Sequence, residues 1–270
     1  MRILLFVLVL VGISKTSLWA APLPLALADA GIEERLGAVV DRTLTFKDET
    51  GKDVALNDYL SRGKPILLNF AYFHCPMLCG LVQDGMVKGL KSMDWVPGKN
   101  YEVLTVSMDT REGPQEAKPV KDHLLSVLGK PGAEAGWHVL TGDRKAVESL
   151  ASTVGFKFNY LPDRNEFAHG AGLIFLSPEG KVSRYLYGVE FSRKDLRLAL
   201  LDASEGRSLS LGDKLTMFCY KYDANSKGYV LFAQNFMKAG GVLIMALLGF
   251  LLITMWRGEM RRKRMSLAGK

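Results

Sequence analysis

The sequence predicts an α/β domain, a central mixed sheet flanked by helices, followed by a transmembrane helix. Three observations predict it. Two continuous apolar runs, PILLNFA at residues 65–71 and YEVLTVSM at 101–108, read as strands buried on both faces. Strand and helix signals alternate from about residue 32 onward. A charge-free apolar stretch of 18 residues, 239–256, is long enough to cross a bilayer core.

The elements follow in order. Residues 44–46 and 54–56 flank Asp48-Glu49-Thr50-Gly51 and read as a hairpin. After the strand at 65–71, residues 79–93 carry apolar side chains at helical spacing: Leu78, Val82, Met86, Leu90 and Met93. The strand at 101–108 precedes a helix over 114–128, with Pro114 suited to its first turn. Residues 138–140 form a short strand, and Asp143 can cap a helix that runs to Val154. Strands at 172–176 and 182–187 enclose the turn Ser177-Pro178-Glu179-Gly180. Ser192 can cap a closing helix over 193–204. Strand, helix, strand, helix, then a hairpin with a closing helix is the order of a thioredoxin-type domain. The domain spans residues 32–205, and a linker, 206–238, joins it to the apolar stretch.

Charge and termini bound the function. The formal charge is +7, but residues 257–270 carry +5 and the first 28 residues +2, so residues 29–256 are balanced. The basic balance is therefore no footprint for nucleic acid. Residues 1–28 read as a signal peptide, with Arg2 as the positive start, an 11-residue apolar run at 3–13 and Ala26-Leu27-Ala28 as the cleavage site. Cleavage near Ala20 or after Ala30 also fits. An uncleaved anchor is the alternative, for which 11 residues is short. The basic tail 257–270 belongs on the cytoplasmic side, which puts the domain outside.

The chain has three cysteines, too few for a disulfide framework. Two stand in Phe73-His74-Cys75-Pro76-Met77-Leu78-Cys79, where a buried strand ends and a helix begins. The helix dipole there favours an anion and should ease deprotonation of a cysteine. Redox thioredoxins usually hold two residues between their cysteines. This motif holds three, which permits a disulfide but leaves room for an ion. Soft thiolates select Cu(I), and one imidazole completes a site that can also hold Cu(II). His169, in a loop of small residues (Ala168, Gly170, Ala171, Gly172) before the strand at 172–176, is the candidate imidazole. A surface or packing role is the alternative for a lone histidine. His74 should point away along the strand end, and His123 and His138 fall on structural elements. Cys219 could be a further ligand, a resolving thiol or a bystander. The stretch Asp223-Ala224-Asn225-Ser226-Lys227-Gly228 lacks the spaced carboxylates of a calcium loop.

FHCPMLCG (73–80), VSMDTREGP (106–114), GWHVLTGD (136–143) and AHGAGLIFLSPEGKVSRYLYG (168–188) together resemble the Sco/SenC family of copper-binding, thioredoxin-fold proteins that assist cytochrome c oxidase assembly. The anchor near the C-terminus is similar to that of a bacterial branch of the family. The resemblance implies copper, as Cu(I) or Cu(II), held by Cys75, Cys79 and His169. It implies the copper-binding subunit of cytochrome c oxidase as partner, with other copper chaperones or thiol reductases as further ones. It also implies a bacterial inner membrane with the domain in the periplasm. The family's acidic pair in the loop after the second buried strand is incomplete: Asp109 is present, and Gly113 stands where a second Asp is often found. Asp109 can be a turn residue or a functional one.

Two functions compete. A metallochaperone needs both cysteines and His169. A thiol–disulfide oxidoreductase, in which Cys75 attacks a partner disulfide and Cys79 resolves the mixed disulfide, needs no histidine. In that case Cys75 and Cys79 would be catalytic. A peroxidase is disfavoured, because Tyr72 stands three positions before Cys75, where a peroxidatic pattern places Thr or Ser.

Overall fold

A computed structural model describes residues 30–75, 78–204, 220–223, 228–231 and 233–268. The expected signal peptide, Pro76, Met77 and Cys219 lie outside them.

The central sheet has five strands in the order β10-β9-β4-β5-β6. Strands β4 (Ile66–Ala71), β5 (Glu102–Ser107) and β6 (Trp137–Leu140) are parallel, and β4 pairs Ile66 with Glu102 of β5. Strands β9 (Gly172–Leu176) and β10 (Val182–Tyr187) run antiparallel to each other, and β9 to β4. Every residue of β4 and β5 is buried. This is the burial that the two apolar runs announced, because helices cover both faces of a mostly parallel sheet.

Side chains of β4 alternate between two cores. Ile66, Leu68 and Phe70 meet Leu56, Tyr59 and Leu60 of α1 (Leu56–Leu60) and Val147 and Leu150 of α4 (Arg144–Thr153). Leu67 belongs to the second core, with α2 (Leu78–Lys91), α3 (Pro114–Leu128) and α5 (Arg193–Ala203). The expected caps are in place. Asp143 accepts from the Ala146 N–H at 2.8 Å, and Ser192 accepts from the Asp195 N–H at 3.0 Å. Pro114 opens α3, and Gly129 closes it at φ 64°, a left-handed position that favours glycine. The first hairpin comprises β2 (Thr45–Lys47) and β3 (Asp53–Ala55); Leu56, expected to end its second strand, instead starts α1.

Three features depart from the sequence reading. Residues 156–169, which gave no strand expectation, form a hairpin of β7 (Phe156–Leu161) and β8 (Glu166–His169). With the two-residue β1 (Gly31–Ile32) it makes a separate three-stranded sheet, β1-β7-β8. His169 is thus the last residue of a strand rather than part of a loop. Among the described residues of the expected linker, β11 (Tyr220–Asp223) pairs with β12 (Gly228–Leu231), and α6 (Ala233–Ala268) begins before the apolar stretch does. Within α6, Gly240–Gly258 is long and apolar enough to span a membrane, and none of its residues is buried.

Candidate metal centre

The site lies at the carboxyl ends of β4 and β5, where open α/β sheets present their ligand sites. After β4 the chain turns through Tyr72–Cys75 and enters α2, so Cys75 stands just before the helix and Cys79 one residue inside it. The Cys79 N–H donates to Cys75 Sγ at 3.2 Å. Cys75 follows the end of β4, at the strand-to-helix junction where the sequence placed it. Cys79 lies one turn on, 3% exposed, against the core.

The third donor arrives from 90 positions away. His169, at the end of β8, places Nε2 3.3 Å from Cys79 Sγ. Its Nδ1 lies 2.8 Å from the Gly170 carbonyl. A carbonyl only accepts, so Nδ1 carries the hydrogen and Nε2 keeps a lone pair aimed at the sulfur. The ring sits among aromatics, with Phe156 at 6.0 Å and Tyr72 edge-on at 6.4 Å. Glycines allow this approach. A Cβ on Gly170 would lie 3.0 Å from the Gly31 backbone, and one on Gly172 would lie 2.7 Å from the Leu186 carbonyl oxygen.

The sulfurs of Cys75 and Cys79 and a ring nitrogen of His169 all lie within 4.8 Å of one another. Two soft sulfurs and one imidazole fit copper, and the small separation fits one ion. Cys75 and His169 are half-buried, so the site keeps a solvent-facing side.

The electrostatics revise one expectation. Burial pushes the Cys79 thiol well above its usual range, with the Cys75 sulfur adding to the shift and a hydrogen bond from the Tyr72 backbone opposing it. At Cys79, then, desolvation prevails, and deprotonation is harder rather than easier. Burial lowers the His169 pKa against the opposing Gly170 hydrogen bond, which keeps the ring neutral and able to ligate.

Sequence reasoning missed Glu112. The residue is buried, with its side chain 4% exposed. One oxygen accepts from the Phe73 N–H at 2.7 Å, the His74 N–H at 3.2 Å and His74 Nδ1 at 3.0 Å. The other accepts from the Ser107 hydroxyl at 2.6 Å. Glu112 therefore ties the segment before Cys75 to the end of β5. His74 does point outward, as expected, with its ring held by Glu112. Asp109 is committed within its own turn, binding the Arg111 guanidinium at 2.8 and 2.6 Å. Burial works to raise the Asp109 pKa, but Arg111 prevails and holds it below the usual carboxylate range.

The other histidines lie away from the two sulfurs, on other elements. His123 lies within α3, and His138 packs on Tyr59 with ring centroids 4.7 Å apart. Nδ1 of His138 stands 3.7 Å from Glu49, beside the buried Lys121–Glu49 pair.

Comparisons with known proteins agree with this architecture. A protein from Aquifex aeolicus VF5 described as an electron transfer protein superposes with a TM-score of 0.56 at 28% identity, over 63% of this chain and 94% of that one. A second from the same organism, described as an electron transport protein, gives 0.52 at 26%, over 63% and 98%. BsSco, described as a member of the Sco family of cytochrome c oxidase assembly proteins, shares the fold at 0.50 and 20%, over 64% and 98%. A search of curated proteins finds no match. The family model SCO1/SenC matches residues 33–199, more than half of the sequence and the whole of the sheet that carries the cysteines, so the chain belongs to the SCO1/SenC family.

Proposed function

We propose that this protein is a membrane-anchored copper chaperone that binds copper through Cys75, Cys79 and His169 and delivers it for assembly of the dicopper centre of cytochrome c oxidase. The observation that carries the reading is the convergence of two sulfurs and one imidazole nitrogen within 4.8 Å. Family membership supports it, as does the description of BsSco as belonging to a family of oxidase assembly proteins. Cargo transfer needs a site of low coordination number, so that a recipient's ligands can enter before the donor's leave. Three donors, two of them on half-buried residues, meet that need.

The apolar segment Gly240–Gly258 would anchor the chain. The basic tail would lie in the cytoplasm and the domain in the periplasm of a bacterial inner membrane. An anchored carrier searches a surface rather than a volume, which raises its effective concentration near a membrane-bound oxidase.

A second reading, thiol–disulfide oxidoreductase, draws on the 3.2 Å contact between the Cys79 N–H and Cys75 Sγ, which brings the two cysteines within reach of each other. It would keep the oxidase's copper-ligand cysteines reduced, and the two roles are compatible because copper binding needs the reduced pair. The deciding experiment is anaerobic copper titration of the full chain in detergent against a competing chelator, beside Cys75→Ser, Cys79→Ser and His169→Ala. One tight copper per chain, weakened by all three changes, supports the chaperone. Binding indifferent to His169, or no binding of Cu(I) or Cu(II), transfers the function to the thiol pair alone.

A further inference from the structure

We infer that Arg111 is a positioning residue for the metal centre, acting on His169 through the β7–β8 hairpin; this rests on the copper-binding reading above. The hairpin that delivers His169 belongs to the small β1-β7-β8 sheet and does not join the five-stranded sheet that carries the cysteines. The chain tethers the hairpin's His169 end to β9 through Gly170 and Ala171, but no backbone ladder among the described residues fixes the rest of the hairpin to that sheet, so side chains must hold it. Aromatic contacts supply part of that attachment. Phe156 stacks on Phe70 at 4.6 Å, and Phe167 meets Tyr72 at 5.2 Å. Such contacts fix a separation but constrain sliding weakly, because dispersion is non-directional.

Arg111 supplies the directional part. Asp109 holds one edge of its guanidinium, Nε and Nη2, with both carboxylate oxygens, which fixes the plane. The remaining nitrogen, Nη1, reaches across to the hairpin and donates to the Tyr160 hydroxyl at 3.1 Å and to Asn165 Oδ1 at 3.0 Å. The Tyr160 hydroxyl in turn donates to Asn165 Oδ1 at 2.8 Å. The guanidinium carbon lies 4.8 Å from the Tyr160 ring centroid, so the cation also sits on the aromatic face. Asn165 adopts φ 52°, the one non-glycine residue at positive φ among the described residues. This is a left-handed turn position, which asparagine tolerates. Four residues later the chain reaches His169.

This attachment is unusual for its exposure. The Arg111 side chain is 54% exposed, yet it is fixed by a carboxylate, a hydroxyl, an amide and a ring. The next residue, Glu112, holds the other arm of the centre by the Phe73 and His74 amides. Two adjacent residues in the turn after β5 thus grip the cysteine arm and the histidine arm, and this turn sets the spacing between them.

The test is a double-mutant cycle on the full chain in detergent. Copper affinity is read by chelator competition for the wild type, Arg111→Ala, His169→Ala and the double variant. Arg111→Ala should weaken binding about 2–30-fold, the range for a residue that acts on a site through intermediate contacts. In the His169→Ala background the same change should cost less than about twofold, since no histidine is left to position. Asn165→Gly removes the acceptor while keeping the positive φ free of strain, and should reproduce the Arg111→Ala loss. A copper-free readout accompanies these: amide exchange across residues 158–169 should rise in Arg111→Ala. Wild-type affinity in Arg111→Ala, or an equal loss in both backgrounds, overturns the inference while leaving the chaperone reading standing. An unchanged affinity in His169→Ala overturns both.

Discussion

Glu112→Ala removes the acceptor shared by the Phe73 N–H, the His74 N–H, the His74 ring and the Ser107 hydroxyl. Not all four contacts carry equal weight. The His74 side chain is 75% exposed, so its ring contact counts little. Ser107 keeps a second acceptor, the Asp109 carbonyl at 3.2 Å. The cost falls mainly on the two backbone N–H groups, one or two bonds to a charged acceptor at about 1.5–3 kcal/mol each. We expect a loss of about 3 kcal/mol. For a domain of this size that lowers the thermal midpoint by roughly 6–12 °C. The assay is thermal unfolding of the full chain in detergent by circular dichroism, with Glu148→Ala as control. The Glu148 side chain is 56% exposed and its ion pair, with Arg144 at 3.4 Å, is also exposed to solvent, so its loss should stay within about 0.5 kcal/mol. Amide exchange at Phe73 and His74 should rise in parallel. If Glu112→Ala melts with the control and those amides stay protected, the carboxylate does not hold the cysteine segment and the argument fails.

Three further outcomes are expected. The Cys79 thiol is held protonated by burial, so copper uptake should release its proton, and affinity should rise about tenfold per pH unit near neutrality from this thiol alone; titration in weak buffer with a pH indicator checks it, and Cys79→Ser should abolish that share. Burial would raise the Glu49 pKa, but the nearby His138 and the Lys121 hydrogen bond outweigh it and hold the carboxyl at about 2, below its ordinary 4.5; its contribution, roughly 3 kcal/mol, is therefore complete above pH 4.5 and lost as pH falls toward 2, and Glu49→Gln should flatten the acid-unfolding curve in that window. A Cβ on Gly85 of α2 would lie 1.8 Å from the Val189 carbonyl oxygen, whereas one on Gly80 meets nothing within 4 Å; Gly85→Ala should cost about 1–3 kcal/mol or more in urea unfolding, and Gly80→Ala should cost nothing.

Much of the fold was written in local pattern. The runs at 65–71 and 101–108 are apolar because both faces of the sheet are covered, and a run of that kind has few other stable fates in an α/β chain. Asp143, Ser192 and Pro114 marked helix starts, because unpaired N–H groups at those ends demand particular residue types. The Cys75–Cys79 spacing at a strand end marked the first half of the centre, and the small residues around His169 marked a close backbone approach. A signal for the missed hairpin was also present. Phe156, Phe158 and Tyr160 alternate with polar residues, and Pro162-Asp163-Arg164-Asn165 is turn chemistry. It was masked because these strands are only half-buried and lack the continuous apolar run that distinguished β4 and β5.

The sequence by itself determined the sheet, its covering helices, the apolar segment near the C-terminus and the identity of the two cysteines. The tertiary structure alone decided what those groups meet. It brought His169 Nε2 to 3.3 Å from Cys79 Sγ across 90 positions, because the β7–β8 hairpin folds over the carboxyl end of β4. It also set the direction of the Cys79 shift, since desolvation depends on what packs around the sulfur and not on its neighbours in the chain. Arg111 and Glu112 read in sequence as ordinary charged turn residues. Their partners, Tyr160 and Asn165 on one side and Phe73 and His74 on the other, are 38 to 54 positions away, and charge patterns carry no periodicity that could reveal such contacts.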